Sequence, residues 1–178
     1  RLLEEYTGVI LSMGDKIQTC AVRYSDVYSR TYYINTDGTW IDTERVYLSG
    51  GIEAVARQGD IIQPNYLSFS STNDFGIVEN RHDEIRAMTQ AAIDSLSAPS
   101  VKSGSYTVIA DPTLAGIFAH EAFGHLSEAD DYAENPQLRE LMTLGRRFGG
   151  KHLNILDGAD VPGSGGTIKY DNEGVLKT

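Results

Sequence analysis

The strongest constraint on the fold is a change in hydrophobic period near residue 76. From Ile17 to about Ser71, Val, Ile, Thr and many of the chain's 10 tyrosines alternate with polar residues, as in half-buried β-strands. Thr36-Asp37-Gly38 and Gly59-Asp60 are turn signals. This segment therefore predicts an antiparallel meander with one solvated face. The strands are expected at 16–24, 27–35, 40–56 and 61–70, with a bulge at Gly50-Gly51.

After residue 76 the pattern becomes helical. Apolar residues recur every three or four positions from a predicted N-cap at Asn80 to Pro99, which indicates an amphipathic helix. Further helices are expected at 114–129, after Pro112, and at 137–147, and short strands at 106–110, 152–156 and 167–170. The predicted fold class is α+β, an antiparallel β-meander followed by helices.

Length and the opening residues bear on domain organisation. A chain of 178 residues can form one ordinary domain or part of a larger protein. The opening Arg1-Leu2-Leu3-Glu4-Glu5-Tyr6 is typical of the last turns of a helix. We therefore interpret residues 1–178 as a single fragment, with a strand-rich part at 1–76 and a helix-rich part at 77–178.

Charge and cysteine content exclude several classes of partner. The net charge of −10 repels phosphate backbones and anionic lipids, so neither nucleic acid nor a membrane is expected as a direct partner. No apolar run approaches the ~20 residues that span a bilayer. The single cysteine, Cys20, excludes an internal disulfide and favours a reducing, cytoplasmic location.

The run His120-Glu121-Ala122-Phe123-Gly124-His125 has the composition of a metal site. It holds two of the chain's 4 histidines, and a glutamate directly follows the first. Neutral imidazoles are good zinc ligands, and a neighbouring glutamate can take a proton from metal-activated water. We therefore expect His120 and His125 to be metal ligands and Glu121 to be a catalytic base.

The histidine spacing is unusual for a helical zinc site. Zinc-protease helices use positions i and i+4, but position i+4 here is Gly124. Spacing i, i+5 separates two side chains by about 140° on a regular α-helix. His120 and His125 can share one ion only if the helix ends or widens between them, and a π-type bulge at Gly124 would widen it.

Two interpretations of the surrounding residues remain open. Glu128, three residues after His125, could be an additional ligand, could orient a ligand, or could belong to a solvated acidic helix end. The residues before His120 are apolar, which predicts a buried helix. Both histidines could then satisfy hydrogen bonds within the core rather than bind metal.

The histidine segment resembles a known family. Residues 111–125, DPTLAGIFAHEAFGH, followed by Glu128-Ala129-Asp130, resemble the metal-binding segment of the TldD/PmbA family, metallopeptidases also described as modulators of DNA gyrase. The similarity covers essentially the whole chain. It includes Ile34-Asn35-Thr36-Asp37-Gly38, the loop Pro162-Gly163-Ser164-Gly165-Gly166 and Tyr170-Asp171-Asn172-Glu173-Gly174.

The resemblance implies a TldD-like subunit that carries the metal motif. His120 and His125 would bind Zn²⁺, Glu121 would be the base, and a cysteine further along the family's chain would complete the coordination. Cys20 lies upstream in the strand region and is better interpreted as a small buried hydrophobe. The family's N-terminal helical region and C-terminal domain have no counterpart here, so the isolated fragment is expected to be inactive.

Three functional hypotheses follow. The first is a zinc-dependent peptidase that hydrolyses extended or unfolded peptides, as a homo-oligomer or with a PmbA-like subunit. The second is a non-catalytic interaction or regulatory module of a gyrase-associated complex. The third is a metal-dependent hydrolase of non-peptide substrates. Stoichiometric, chelator-sensitive zinc in the full-length protein would favour the first over the second.

Overall fold

The computed structural model describes residues 1–72, 74–159, 161 and 164–177. They form two compact units, Arg1–Val101 with Ala159–Thr178, and Lys102–Gly158. The first contains α1 (Leu2–Leu11), β1 (Ile17–Ile34), β2 (Trp40–Gln58), β3 (Ile61–Ser71), a 3₁₀ turn (Phe75–Val78) and α2 (His82–Ser95). The second contains α3 (Pro112–Ala119), a π turn (His120–Gly124), a 3₁₀ turn (His125–Ser127), α4 (Ala129–Glu134) and α5 (Pro136–Leu141).

The three strands form one antiparallel sheet in the order β1-β2-β3. The predicted α+β class, a β-meander followed by helices, is therefore confirmed. The stretches predicted as separate strands at 16–24 and 27–35 form the single strand β1, because the pairing with β2 continues from Tyr24 through Val27 without interruption. The helices in the described part of the chain are too short or too polar to cross a bilayer.

The bulge predicted at Gly50-Gly51 is wrong. Both glycines stay in register, opposite Tyr24 and Arg23, and the irregularity in this pair of strands lies between Ile17 and Thr19. Gly50 has a different role, because the ring of Phe69 on β3 occupies the space that a Cβ would need. Gly50 is therefore explained by its close packing against Phe69 and not by a bulge in the strand.

The core of this unit lies between the sheet and the two helices α1 and α2. Its buried members are Tyr6, Ile10, Ile52, Ala54, Ile85 and Met88. The Tyr6 hydroxyl donates a buried hydrogen bond to the Val78 carbonyl at 2.6 Å, which ties α1 to the turn before α2. Cys20 packs against the same cluster, and burial raises the pKa of its thiol.

Several predicted boundaries in the second half of the chain are wrong. Asn80 is not the N-cap: it has a φ of 58°, and α2 begins at His82 after Arg81. No strand forms at 106–110 or 152–156, and 167–170 contributes only the bridge from Tyr170 to Leu176. These segments find no extended partner among the described residues, and an isolated apolar run does not make a strand.

The helix predicted at 137–147 is shorter in the structure. It ends at Leu141, because Met142 has left helical geometry with a ψ of 69°. Pro162 and Gly163 of the glycine-rich loop lie outside the described residues.

The close approach at Gly50 gives a stability prediction. We expect Gly50→Ala to lower the free energy of unfolding by about 1–3 kcal/mol, because the new methyl group forces the Phe69 ring out of place. Urea denaturation measures this. The matched control is Gly51→Ala, where a Cβ would meet nothing within 4 Å, so stability should be unchanged or slightly raised. Equal effects of the two substitutions on stability would contradict the explanation of Gly50 by close packing against Phe69.

Candidate metal centre

Helix α3 positions the histidine motif from its N-terminal end. The Asp111 carboxylate accepts a hydrogen bond from the Leu114 amide at 2.7 Å, and Pro112 occupies the first turn. Proline has no N–H to leave unsatisfied at this position, and a capping aspartate satisfies another free amide. The helix is regular from Pro112 to Ala119. Its capped start therefore determines the direction in which the chain presents the next residue, His120.

The backbone then widens into the π turn at His120–Gly124, which confirms the predicted π bulge. It continues as a 3₁₀ turn at His125–Ser127, so the single helix predicted at 114–129 is wrong. The extra residue in the widened turn brings the two imidazoles to the same side of the chain. Their ring centroids lie 4.4 Å apart, with an interplanar angle of 66°.

Gly124 contributes more than backbone freedom. A Cβ at this position would lie 3.3 Å from Nδ1 of His120, closer than most Cβ contacts in proteins. Because glycine has no side chain, the His120 imidazole has room to lie against the turn at Gly124. The histidine spacing indicates the need for flexibility at Gly124, whereas this contact depends on the orientation of the His120 ring.

Two imidazoles and a carboxylate form a compact donor set. One nitrogen each from His120 and His125 and a carboxylate oxygen of Glu121 lie within 4.8 Å of one another, the one such grouping of three or more candidate ligands among the described residues. Nε2 of His125 is 3.7 Å from Oε2 of Glu121. Ligand atoms in a tetrahedral zinc site are about 3.3 Å apart. The residues fit such an ion, because these solvent-exposed side chains can close the difference by small rotations.

Glu128 interacts with the opposite nitrogen of His125. Its Oε1 lies 2.7 Å from Nδ1 of His125. This hydrogen bond is the main cause of a raised pKa for His125. Desolvation opposes it, and the negative charges of Glu128, Glu121 and Asp131 each raise the pKa by a smaller amount. With Nδ1 engaged by Glu128, Nε2 is the nitrogen that points towards Glu121.

The buried helix predicted before His120 is not observed. No residue of α3 is buried, and Phe118 is 66% exposed. Instead of closing a core, one face of α3 lines an open cavity in its own unit. His120, Glu121 and His125 are also exposed, which removes the alternative in which the histidines satisfy hydrogen bonds inside a core.

The chain matches two neighbouring domains of one protein family. Residues 1–135 match the PmbA/TldA metallopeptidase central domain. Residues 103–178 match the PmbA/TldA metallopeptidase C-terminal domain, for which the sequence led us to expect no counterpart in this chain. The histidine motif falls in the region that the two matches share.

Curated relatives have names that agree with these matches. Metalloprotease slr0863 of Synechocystis sp. is 39% identical over 174 residues, covering 98% of this chain and 38% of that protein. Metalloprotease MJ0996 of Methanocaldococcus jannaschii is 32% identical over 164 residues, covering 90% and 36%. The zinc metalloprotease TldD homolog of Saccharolobus solfataricus is 32% identical over 178 residues, covering 97% and 39%. The chain thus spans somewhat more than a third of the length of these relatives, and it belongs to the TldD/PmbA family of metallopeptidases.

Proposed function

We propose that this chain carries the zinc-binding and catalytic segment of a peptidase. The observation that carries the proposal is the π turn, which brings His120, Glu121 and His125 into one donor set. The name of the Saccharolobus relative, zinc metalloprotease TldD homolog, supports zinc as the ion. The donor chemistry agrees, because imidazole nitrogens are common zinc ligands.

His120 and His125 are the proposed metal ligands, each through a neutral ring nitrogen. A zinc ion held there would lower the pKa of a bound water and polarise a substrate carbonyl. The family resemblance implies a cysteine outside these 178 residues as a further ligand. Without it, the chain alone should bind zinc weakly and be inactive.

Glu121 is the proposed general base. Its carboxylate reaches within 3.7 Å of His125 Nε2, at the edge of the donor set, and it is open to solvent. From there it can accept a proton from an attacking water molecule and donate it to the leaving amine of the cleaved peptide. Solvent exposure also allows the carboxylate to lose any excess proton between turnovers.

Glu128 is the proposed positioning residue for His125. By holding the Nδ1 proton, it leaves the Nε2 lone pair available and restrains the ring orientation. A carboxylate engaged in this way at 2.7 Å is better suited to orient the ligand than to be a ligand itself.

The proposed substrates are extended or unfolded peptides. The outer edge of β1, an 18-residue strand, pairs with no described strand, so its N–H and C=O groups can bind an extended peptide. Hydrolysis is proposed to take place in the cytoplasm, inside a homo-oligomer or a hetero-oligomer with a PmbA-like subunit. These partners belong to the whole protein.

The assigned base predicts a separation of metal binding from catalysis. In the full-length protein, Glu121→Gln should keep its zinc content and lose about 10²–10⁴-fold in peptide hydrolysis, because a positioned general base contributes that much. Metal analysis and a peptide-cleavage assay measure the two properties. Glu134→Gln, an exposed change on α4, is the control and should retain activity. Undiminished turnover in Glu121→Gln would contradict the proposed role of Glu121 as the general base.

The packing of Gly124 against His120 predicts a loss of metal affinity. Gly124→Ala in the full-length protein should weaken zinc binding by about tenfold, because the new methyl group displaces the His120 ring. Competition with a chromophoric chelator measures the affinity. Gly116→Ala in α3 is the matched control, since a Cβ there meets nothing within 4 Å. Similar affinities for the two variants would show that the Gly124 contact does not position the ligand.

The hydrogen bond from Glu128 predicts a pKa change in the metal-free protein. Glu128→Gln should lower the pKa of His125, because the carboxylate charge that favours the imidazolium form is lost and a neutral amide oxygen accepts only a weaker hydrogen bond from the ring. An NMR titration of the imidazole protons measures this. Glu134→Gln should leave the titration of His125 where it is. An unchanged midpoint in Glu128→Gln would show that the contact does not persist in solution.

A further inference from the structure

The unit Lys102–Gly158 contains a cavity that the metal site does not use. Its volume is about 670 Å³, and it lies between α3 and the segment 147–155. Ala115, Phe118 and Ala119 of α3 and Ala122 of the π turn line one side of it, whereas His120, Glu121 and His125 are not among the lining residues. A volume of this size is within the roughly 300–1,000 Å³ typical of small-molecule pockets.

The cavity wall is mainly apolar and partly aromatic. Phe123 and Phe148 pack edge to face there, with ring centroids 5.5 Å apart. Leu153 and Ile155 extend the apolar surface along the segment 147–155 and remain partly exposed. Such a surface gains free energy when a second apolar group covers it.

Two cations line the same cavity. Arg147 and Lys151 have no ion pair or hydrogen bond from their side chains to any described residue. Two other arginines of this unit do have partners: the Arg139 guanidinium donates a hydrogen bond to the Ala133 carbonyl, and the Arg146 guanidinium lies over the Phe148 ring. Unpaired cations beside an apolar cavity are notable in a chain with a net charge of −10.

We infer that this cavity binds a monocarboxylate with an apolar body. The apolar group would enter between Phe118 and Phe148, and the carboxylate would meet Arg147 and Lys151 at the wall. The Asn154 side chain, also in the lining, supplies an amide donor for the same oxygens. The C-terminal apolar residue of a peptide has this chemistry, and so does a fatty acid. The inference goes beyond the proposed peptidase function and needs no metal ion.

The test is a titration of the full-length protein in an excess of a neutral chelator, so that neither a metal ion nor a chelator carboxylate competes. The probes are N-acetyl-phenylalanine, its neutral amide and octanoate, followed by ¹H–¹⁵N NMR. The expected result is saturable binding of N-acetyl-phenylalanine with shifts at Phe118, Phe148 and Lys151. The amide should bind about two- to fivefold more weakly because the ion pairs are lost. Tighter binding of octanoate would support the site and identify an aliphatic acid as its ligand.

Matched variants assign the binding to this cavity. The double change Arg147→Met and Lys151→Met should reduce the affinity for N-acetyl-phenylalanine to that of the amide. Ala115→Leu should weaken the binding of N-acetyl-phenylalanine and of its amide, because the larger side chain fills the space that the apolar group would occupy. The control is Lys102→Met, which removes a cation of the same unit outside the cavity.

Three results would overturn the inference: no saturable binding, equal affinity for the acid and the amide, or equal weakening by Lys102→Met and the double change. Since zinc is absent from this experiment, these results are independent of the outcome for Glu121→Gln. The two proposals can therefore fail separately.

Discussion

The site depends on the one-residue widening of the helix at His120–Gly124. On a regular α-helix the two histidines would point about 140° apart and could not share an ion. With the π turn, their rings lie 4.4 Å apart and Glu121 joins the same donor set. Three candidate site residues are thus brought together from six consecutive positions. A substitution that restores a regular helix here would separate His120 from His125.

A locally assembled, exposed site needs its own means of orientation. The core between the sheet, α1 and α2 holds side chains such as Tyr6 by dense packing, whereas no residue of α3 is buried. At the candidate metal centre, orientation comes from the Asp111 cap, from the space left by Gly124 and from the hydrogen bond between Glu128 and His125. Exposed ion pairs add little to stability, typically 0–1 kcal/mol. The contact with Glu128 therefore matters for the tautomer and direction of the ring.

The sequence was sufficient where a feature depends on periodicity or on local geometry. The long alternation of β1 and β2 and the helical stripe of α2 predict the meander and the helix that covers it. The i, i+5 spacing with Gly124 predicts the π turn, because helix geometry allows few other ways to bring both histidines together.

It was insufficient where a feature depends on a partner elsewhere in the chain. The apolar run at 106–110 has strand propensity but no neighbouring strand to pair with. The apolar residues of α3 predict burial, yet burial requires a covering element, and here they line an open cavity. Gly50 has the same sequence signature as a bulge, and only the position of the Phe69 ring reveals close packing. The pairing of Glu128 with Nδ1 of His125 likewise required coordinates.

The most direct test of the central claim is X-ray absorption at the zinc edge of the zinc-loaded full-length protein. Two imidazole ligands with Zn–N distances of about 2.0–2.1 Å are expected. The imidazole contribution should fall to one in His125→Ala and disappear when His120 is also replaced. A first shell without imidazole, or a spectrum unchanged in the double variant, would show that the π turn does not form the zinc site.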